Sequence, residues 1–271
     1  MLNDYTRISH MFVSVGDARI YATSFGPINE PAVLGVGGWT GSWELWAEPF
    51  SILSQRWRTI AYDHRGAGIT RAPVETITHD RLVDDVFAVM DAHQVERCVL
   101  AAESAGALTA LGAALRHPDR IAGLVLVDAM FYRAPTAQES PFVIGLSTHY
   151  EETLRRFVAG CVPEPDSDHL KAWGFKILSR ATPAEAIALF NAATGVDLRG
   201  NLARITQPAL IFHGERDVIV PLDQARALAA ALPNATLTVI PGAGHVPTVT
   251  RPAEIAEGMH RFLDAILGGA G

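Results

Sequence analysis

The sequence predicts an α/β protein that is built on a mostly parallel sheet with helices on both faces. Short, continuously apolar runs alternate with amphipathic helical segments along most of the chain. Strands of this kind are buried on both sides, as they are in parallel sheets that lie between layers of helices. The alternation stops between residues 133 and 204, where no strand-like run occurs, and we expect a helical insertion there.

Composition limits the classes of function. The 271 residues are 49% hydrophobic and 19% charged, which is typical of one globular domain with a sizeable core. A net charge of -7, without a cluster of Lys or Arg, argues against binding to nucleic acid or to an acidic membrane surface. The stretch from Met1 to His10 has no apolar core of a secretory signal, and no run approaches the roughly 20 apolar residues that a membrane span needs. Cys98 and Cys161 do not indicate a disulfide framework. We therefore expect a soluble cytoplasmic protein, either a monomer or a homodimer.

Eight strands are predicted in chain order. They cover residues 11–15, 18–24, 31–37, 59–62, 98–102, 124–127, 209–213 and 236–240. The turn at Gly16-Asp17 joins the first two as a hairpin. Helices are predicted over 43–55, behind Thr78, after the fifth strand, over 222–232 and over 252–267, where apolar residues recur at helical spacing.

The insertion follows the sixth strand and divides the core. We expect core residues 1–132, a cap over 133–204 and core residues 205–271. One cap helix is well marked, because Thr182-Pro183-Ala184-Glu185 is a capping box with proline in the first turn. Parallel sheets bind ligands at the carboxyl edge of their strands, so an insertion at this edge is a candidate lid.

The corner after the fifth strand is the first candidate for chemistry. The run from Cys98 to Ala102 turns at Ser104 directly into an Ala/Leu-rich helix. Such a corner is strained, exposes the residue at its apex and admits only small residues two positions away, here Ala102 and Gly106. The first amides of the helix also face any negative charge that forms at Ser104. A serine that merely caps an ordinary helix is the alternative at this point.

A serine nucleophile needs an imidazole that accepts its proton. His245 is the best-placed histidine, since it lies in the glycine-containing loop that follows the last predicted strand. His64, in the loop after the fourth strand, and His213, inside a strand, are weaker candidates.

The imidazole in turn needs a carboxylate that orients it. Asp217 follows the next-to-last strand and would stand at the same sheet edge as Ser104 and His245. Asp128 ends the sixth strand at that edge and remains a rival. Glu215 and Asp223 share the neighbourhood of Asp217, and Asp223 is better suited to capping the following helix.

Taken together, the motifs make the chain resemble the α/β-hydrolase family over nearly its whole length. The matching segments are Gly37-Gly38-Trp39, Asp63-His64-Arg65-Gly66-Ala67-Gly68, Ala102-Glu103-Ser104-Ala105-Gly106, Gly214-Glu215-Arg216-Asp217 with Pro221, and Gly242-Ala243-Gly244-His245. The resemblance implies an α/β-hydrolase fold with Ser104 as nucleophile, Asp217 as acid and His245 as base. It also implies an oxyanion hole formed by the backbone amides of Trp39 and Ala105. The most similar subgroup has a small helical cap and includes enol-lactone hydrolases, carbon-carbon bond hydrolases and small esterases.

The chain departs from the family pattern at a few positions. Ala102 replaces the usual glycine, Gly37 stands where many relatives have histidine, and Ile69-Thr70 replaces a serine-containing end of the arginine-glycine loop. A serine rather than an aspartate at position 104 argues against the epoxide hydrolase and haloalkane dehalogenase branches of the fold.

The aromatic content of the insertion predicts an apolar pocket and hence a neutral, moderately hydrophobic ester or lactone as substrate. We expect the pocket to be lined by Gly38, Trp39, Phe131, Tyr132, Trp173 and Val246. Trp43 and Trp46 also lie near the oxyanion loop in sequence. Arg133, Arg155 and Arg156 leave a carboxylate-bearing substrate open.

Several alternatives remain at this point. Glu103 has either a structural role or one in tuning the base or contacting the leaving group. No metal-ligand spacing and no phosphate-binding glycine loop appears, so no cofactor and no metal is expected. Carbon-carbon bond hydrolysis of a diketone, or ligand binding by a low-turnover receptor, are the alternative functions.

Overall fold

The computed structural model describes residues 8–28, 31–135 and 140–268. Its eight strands form one sheet, and they are β1 (Ser9–Val15), β2 (Ala18–Phe25), β3 (Ala32–Val36), β4 (Arg58–Tyr62), β5 (Cys98–Glu103), β6 (Ile121–Val127), β7 (Ala209–Gly214) and β8 (Ala235–Ile240). The predicted strand count is confirmed, and the largest difference in bounds is at β6, which begins at Ile121 rather than at residue 124. Most of Met1 to His10, on which the expectation about a secretory signal rests, lies outside the described residues.

The strand order places the carboxyl ends of six strands along one edge. The order is β1-β2-β4-β3-β5-β6-β7-β8. β1 and β2 form the predicted hairpin, and β2 pairs antiparallel with β4. All pairings from β4 through β3 to β8 are parallel. The loops after β5, β6, β7 and β8 therefore meet at the same side of the sheet, where an active site of this architecture is expected.

Helices cover both faces of the sheet. They are α1 (Ala47–Leu53), α2 (His79–Ala92), α3 (Gly106–Arg116), α4 (Pro141–Thr148), α5 (Tyr150–Cys161), α6 (Asp168–Leu178), α7 (Pro183–Ala193), α8 (Leu222–Ala231), α9 (Pro247–Thr250) and α10 (Pro252–Leu267). Val86 of α2, Leu111 of α3 and Leu228 of α8 belong to the buried cluster on one face. Phe50 of α1 and Met259 of α10 belong to the cluster on the other. The strands are apolar throughout because both of their faces are covered in this way.

The insertion between β6 and β7 consists of α4 to α7 and has a small core of its own. Leu146, Leu154 and Ala186 are its fully buried residues. The predicted capping box at Thr182 is present, with both of its hydrogen bonds. The 3-10 helix Arg199–Arg204 lies inside the predicted cap boundary, but its Leu202 is buried in the same cluster as α3 and α8. The end of the insertion thus packs as part of the core.

Two further observations concern the membrane and the cysteines. Within the described part of the chain, none of the helices has both the length and the apolar character that crossing a membrane requires. Cys98 and Cys161 are free and buried, which agrees with the expectation of no disulfide framework.

Candidate active site

Ser104 stands at the apex of the predicted strand-to-helix corner. β5 ends at Glu103 and α3 begins at Gly106, and between them Ser104 has a φ of 52°, in the left-handed region. A non-glycine residue in this region carries backbone strain that the surrounding fold has to hold. The packing explains why position 106 must be small: a Cβ on Gly106 would lie 2.3 Å from the carbonyl oxygen of Gly37.

The three residues predicted as a triad are hydrogen-bonded to one another. His245 Nε2 lies 2.8 Å from Ser104 Oγ, and His245 Nδ1 lies 2.7 Å from Asp217 Oδ2. All three side chains are buried. A carboxylate only accepts hydrogen bonds, so Nδ1 carries the ring proton and the Nε2 lone pair is left to accept from the serine hydroxyl. This is the arrangement in which an imidazole can take the proton of a serine.

Asp217 is held as an anion by several donors. Its Oδ1 accepts hydrogen bonds from the backbone N–H groups of Ile219 (2.7 Å) and Val220 (3.0 Å). Burial alone would raise the pKa of Asp217, but the hydrogen bond and charge of His245, with these two backbone donors, lower it below the ordinary value. The carboxylate is therefore ionised whenever the imidazole can act as a base.

Asp128, the rival carboxylate, lies behind Asp217 and does not reach His245. Its Oδ1 accepts a hydrogen bond from the backbone N–H of Gly214 at 2.8 Å and lies 3.4 Å from His213 Nδ1. Burial and the charge of Asp217 raise its pKa well above the ordinary value. Asp128 is accordingly a neutral group beside the ionised Asp217, since two buried carboxylates in contact do not both ionise.

The weaker sequence candidates have other partners. His213 is buried, which lowers its pKa, and its Nε2 donates to the carbonyl oxygen of Val220 at 2.9 Å. Glu215 accepts from the backbone N–H of Gly242 at 2.9 Å. The expectation that Asp223 caps α8 is wrong: the cap position is Pro221, and Asp223 lies in the first turn and pairs with Arg226 at 2.8 Å.

One grouping of side chains has the composition of a metal site among the described residues. Ligand atoms of Asp128, His213 and Asp217 lie within 4.8 Å of one another. Each of these side chains is already engaged, with the backbone of Gly214, the backbone of Val220 and His245 respectively. We therefore assign the grouping to the support of the triad.

The loop after β3 brings the backbone N–H of Trp39 toward Ser104, and the corner after β5 carries the backbone N–H of Ala105, the next residue along the chain. A Cβ on Gly38 would lie 3.2 Å from the Cβ of Ser104, so this loop approaches the serine closely. His64, buried, holds the loop by a contact of 2.8 Å between its Nε2 and the carbonyl oxygen of Gly38. Within the described residues, neither Trp39 nor Ala105 donates its backbone N–H to another group of the chain. Both donors are available for a ligand beside Ser104.

Ser104 lies in the lining of two cavities. The Trp173 cavity has a volume of about 590 Å³, including the part open to solvent, and is lined by Gly38, Trp39, Thr40, Gly41, Leu45, Glu103, Ser104, Phe157, Val158, Cys161, Val162, Leu170, Trp173, Gly174, Ile177, Leu178, His245, Val246 and Val249. The Phe190 cavity, of about 610 Å³ on the same measure, is lined by Trp39, Ser104, Ala105, Met130, Arg133, Phe142, Phe157, Leu189, Phe190, Ala193 and Ile219. Gly38, Trp39, Trp173 and Val246 line the Trp173 cavity, and their contact with substrate stays a prediction.

Phe131 and Tyr132 line neither of these two cavities, so the expectation that they line the pocket beside Ser104 is wrong. Phe131 is only 3% exposed and packs into the core, with Tyr132 edge-on against it. The cause is the path of the chain after β6. Phe131 accepts a hydrogen bond from Leu198, and Tyr132 forms a β-bridge with Asp197. These contacts hold the segment against the core, away from Ser104.

The other aromatic and basic residues considered for the pocket lie in different parts of the structure. Trp46 is buried and donates from Nε1 to the carbonyl oxygen of Val36 at 3.1 Å, so it belongs to the core. Arg133 lines the Phe190 cavity with its guanidinium 3.7 Å from the Phe190 ring centroid. Arg155 stacks on Phe175 in the same way, at 3.8 Å. Arg156 is exposed and pairs with Glu152 within α5.

Sequence reasoning missed the cap residues that form the cavity wall and brace the base. Val158 and Cys161 of α5 lie in the wall of the Trp173 cavity. The carbonyl oxygen of Cys161 accepts from the backbone N–H of His245 at 2.8 Å, and Glu164 Oε1 accepts from that of Gly244 at 2.9 Å. The apolar spacing of Leu154, Val158 and Cys161 is a helical signal that identifies a buried face, although it does not say what that face covers.

Comparison with known proteins agrees with this architecture. A family model described as the α/β hydrolase fold matches residues 31–172 and 173–252. A protein of Caulobacter vibrioides named as a carbamate hydrolase, RutD, is 30% identical, with coverage of 94% of this chain and 98% of its own. A pimeloyl-acyl-carrier-protein methyl ester esterase of Nitrosomonas europaea is 31% identical, covering 83% of this chain and 93% of its own. Among solved structures, the enol-lactonase from Burkholderia xenovorans LB400 superposes with a TM-score of 0.86 at 24% identity, covering 93% of this chain and 99% of that chain.

Proposed function

Because the chain belongs to the α/β-hydrolase family, we propose that it is a serine hydrolase that cleaves a neutral, moderately hydrophobic carboxylic ester or lactone through an acyl-enzyme intermediate. The observation that carries the proposal is the chain of hydrogen bonds from Ser104 through His245 to Asp217, at the meeting point of two cavities. In this proposal one cavity takes the acyl group and the other takes the alcohol portion.

The proposed reaction uses these three side chains in turn. His245 Nε2 takes the proton of Ser104 while Oγ attacks the substrate carbonyl, and Asp217 stabilises the imidazolium that forms. The negative charge of the tetrahedral intermediate forms beside the backbone N–H groups of Trp39 and Ala105. Two such preorganised donors stabilise the transition state by several kcal/mol. His245 then returns its proton to the leaving alcohol, and an activated water releases the acyl group by the same steps in reverse.

The lining of the Trp173 cavity supports an apolar, uncharged group of the substrate there. The walls of the Trp173 cavity are formed mainly by aliphatic and aromatic side chains such as Val158, Trp173 and Ile177. An apolar site of this kind disfavours charged groups, which would lose their hydration there. Carbamates are a second candidate class, favoured by the name of the RutD relative. The same attack on a carbonyl would cleave them.

The test compares three substrate classes on the wild type and the Ser104→Ala variant. We expect p-nitrophenyl butanoate and a medium-sized lactone to be cleaved, and Ser104→Ala to lower kcat by about 10³-fold or more, because the nucleophile is lost. A fluorophosphonate should label the wild type at Ser104, as mass spectrometry of its peptides would show. Full activity in Ser104→Ala would remove this serine from the mechanism.

The same assay separates the alternatives. Turnover of a phenyl carbamate in preference to both esters and lactones would move the assignment to carbamates. Cleavage of a 1,3-diketone with no activity on esters would replace it by carbon-carbon bond hydrolysis. A stoichiometric complex without product would indicate a binding protein.

A further inference from the structure

The loop that carries His245 is held from both the core and the cap. It covers residues 241–246, between β8 and α9, and it has glycine at positions 242 and 244. Glycine admits many backbone conformations, so contacts from outside the loop decide where the histidine points. On the core side, Glu215 accepts a hydrogen bond from the backbone N–H of Gly242 at 2.9 Å. That contact lies three residues before the histidine.

The cap holds the two residues that set the direction of the imidazole. The backbone N–H of His245 donates to the carbonyl oxygen of Cys161 at 2.8 Å, and the backbone N–H of Gly244 donates to Glu164 Oε1 at 2.9 Å. The two loops are in close contact, since a Cβ on Gly244 would lie 2.5 Å from the Cys161 carbonyl oxygen. These bonds fix the backbone at the point from which the imidazole reaches Ser104.

Glu164 lies in a turn that is itself well fixed. The turn joins α5 to α6, and Glu164 is only 6% exposed within it. Pro163 and Pro165 flank it on both sides, and each proline ring fixes its own φ. Ser167 Oγ donates to the backbone carbonyl oxygen of Glu164 at 2.5 Å. A buried turn that is held in this way presents the carboxyl group to Gly244 in one position.

Glu164 does not belong to the substrate cavities. Cys161 and Val162 line the Trp173 cavity, but Glu164 lines neither that cavity nor the Phe190 cavity. An influence of Glu164 on the reaction therefore has to act through the loop of His245. Such an influence is effective, because a displacement of about 1 Å between reacting groups can lower a rate by about 100-fold.

We propose that Glu164 of the cap is a positioning residue for the catalytic base. By accepting the backbone N–H of Gly244, it keeps His245 Nε2 at hydrogen-bonding distance from Ser104 Oγ. The backbone carbonyl of Cys161 has the same effect, but a substitution does not remove a backbone group, so Glu164 is the member of the pair that mutation can test. The proposal rests on the proposed function, since it concerns the base of that same site.

The first test separates kcat from KM in the hydrolysis of p-nitrophenyl butanoate. Glu164→Met fills similar space without an acceptor oxygen, and it should lower kcat by about tenfold or more while KM stays within about twofold. Glu164→Gln keeps an oxygen that accepts from Gly244 and should retain most of the wild-type kcat. Glu164→Ala is the second apolar variant should the first not fold. Each rate is divided by the folded fraction, which urea unfolding measures, so that a loss of stability alone does not change the result.

The second test is the rate at which a fluorophosphonate labels Ser104, because this reaction needs the base but no particular substrate. The rate should fall in Glu164→Met by the same factor as kcat. Two controls should keep both rates within about twofold of the wild type. Arg180→Gln breaks a contact of the cap with the core at the surface. Glu215→Met loses the bond to Gly242 in the same loop, where the contact is exposed and water can replace it.

The outcomes separate this proposal from the proposed function. If the wild type cleaves the ester and the apolar variants of Glu164 keep its kcat and labelling rate, Glu164 does not position the base and the esterase assignment stands. A loss that lies in KM, or that is as large in Glu164→Gln as in Glu164→Met, also overturns the proposal. If the wild type is labelled but cleaves no ester, lactone or carbamate, the proposed function fails, and the labelling rates still decide the role of Glu164. If Ser104 is not labelled in the wild type, both proposals fail.

Discussion

The core and the cap contribute to the site in different ways. The core supplies the three residues of the proposed triad, each of which follows a parallel strand, and hydrogen bonds of 2.7–2.8 Å join them. The cap supplies most of the apolar wall of the Trp173 cavity. Few polar contacts join the two parts, and they include the bond from Trp39 Nε1 to the Ala186 carbonyl oxygen at 2.8 Å and the pair between Arg180 and Glu44 at 2.6 Å. The side chains of Ser104, Asp217 and His245 are therefore fixed by hydrogen bonds, whereas the cap helices that form the pocket wall are held to the core mainly by packing.

The largest effect expected in the core concerns the two carboxyls at the ends of β6 and β7. Asp217→Asn should lower kcat by about 10⁴-fold, because an amide can donate to His245 and so favour the tautomer that cannot accept the serine proton. Asp128→Asn should change kcat by less than about tenfold, since the carboxyl is already neutral beside Asp217. Steady-state hydrolysis of a nitrophenyl ester by both variants measures the difference. Equal losses of kcat in the two variants would mean that Asp128 also orients His245, and would overturn the assignment of Asp217 as its partner.

The second effect concerns stability and comes from Glu103. Burial raises the pKa of its carboxyl from the ordinary 4.5 to about 8 in the folded protein. Between these pH values the folded protein keeps a proton that the unfolded chain has released, so the free energy of unfolding falls as the pH rises. The difference accumulates to a few kcal/mol by pH 8. Glu103→Gln should remove this contribution and gain stability relative to the wild type from pH 5 to pH 8.

Urea unfolding of the wild type and Glu103→Gln at pH 5 and pH 8 measures the change. Glu257→Gln on α10, where the glutamate is exposed, is the matched control and should follow the wild type at both pH values. If the free energy of unfolding changes with pH by the same amount in the wild type and in Glu103→Gln, Glu103 is ionised in the folded protein.

How far the sequence could be interpreted also differs between core and cap. Ser104 and His245 could be predicted because their neighbours along the chain mark a strained corner and a glycine-containing loop, respectively. Few residue types are allowed beside such features. Asp217 was chosen from the sequence by its position and by the family resemblance, and Asp128 stayed a rival because both residues follow parallel strands at one edge. Phe131 was misplaced because the direction of the chain after β6 is set by its pairing with the segment around residue 197, a contact that local pattern does not encode.

The cap was harder to predict from the sequence than the core, for a related reason. Its helices were expected from the absence of strands, and the capping box at Thr182 marked α7. Part of the apolar faces of α5 and α6 lines a cavity, whereas the rest packs against neighbouring cap helices. A helical period predicts burial without identifying the opposite surface. Val158 and Trp173 therefore have the same sequence pattern as ordinary core residues, and only Trp173 was chosen, on its aromatic character.

A smaller effect, about 1 kcal/mol, is expected where the cap joins the core at Trp39. Trp39→Phe keeps an aromatic ring but loses the Nε1 donor to the Ala186 carbonyl oxygen. Hydrogen exchange of the amides of α7 should become a few-fold faster, while those of α10 should be unchanged. Trp46→Phe is the matched control, since it loses a similar bond to Val36 inside the core. It should lower global stability without a selective effect on α7. A uniform change across both helices in Trp39→Phe would mean that the cap does not open separately.

The smallest effect is expected from the pair between Arg180 and Glu44, which joins the cap to the core at the surface. The side chains are 31% and 18% exposed, so solvent screens the pair and Arg180→Gln should cost less than about 1 kcal/mol of unfolding free energy. Because the interaction is between charges, the cost should shrink when salt is raised from 0.05 M to about 1 M. Arg156→Gln breaks a pair that lies within α5 alone and should leave the hydrogen exchange of α7 unchanged. A loss in Arg180→Gln well above 1 kcal/mol and independent of salt would show that packing by the arginine stem, rather than charge, holds this edge of the cap to the core.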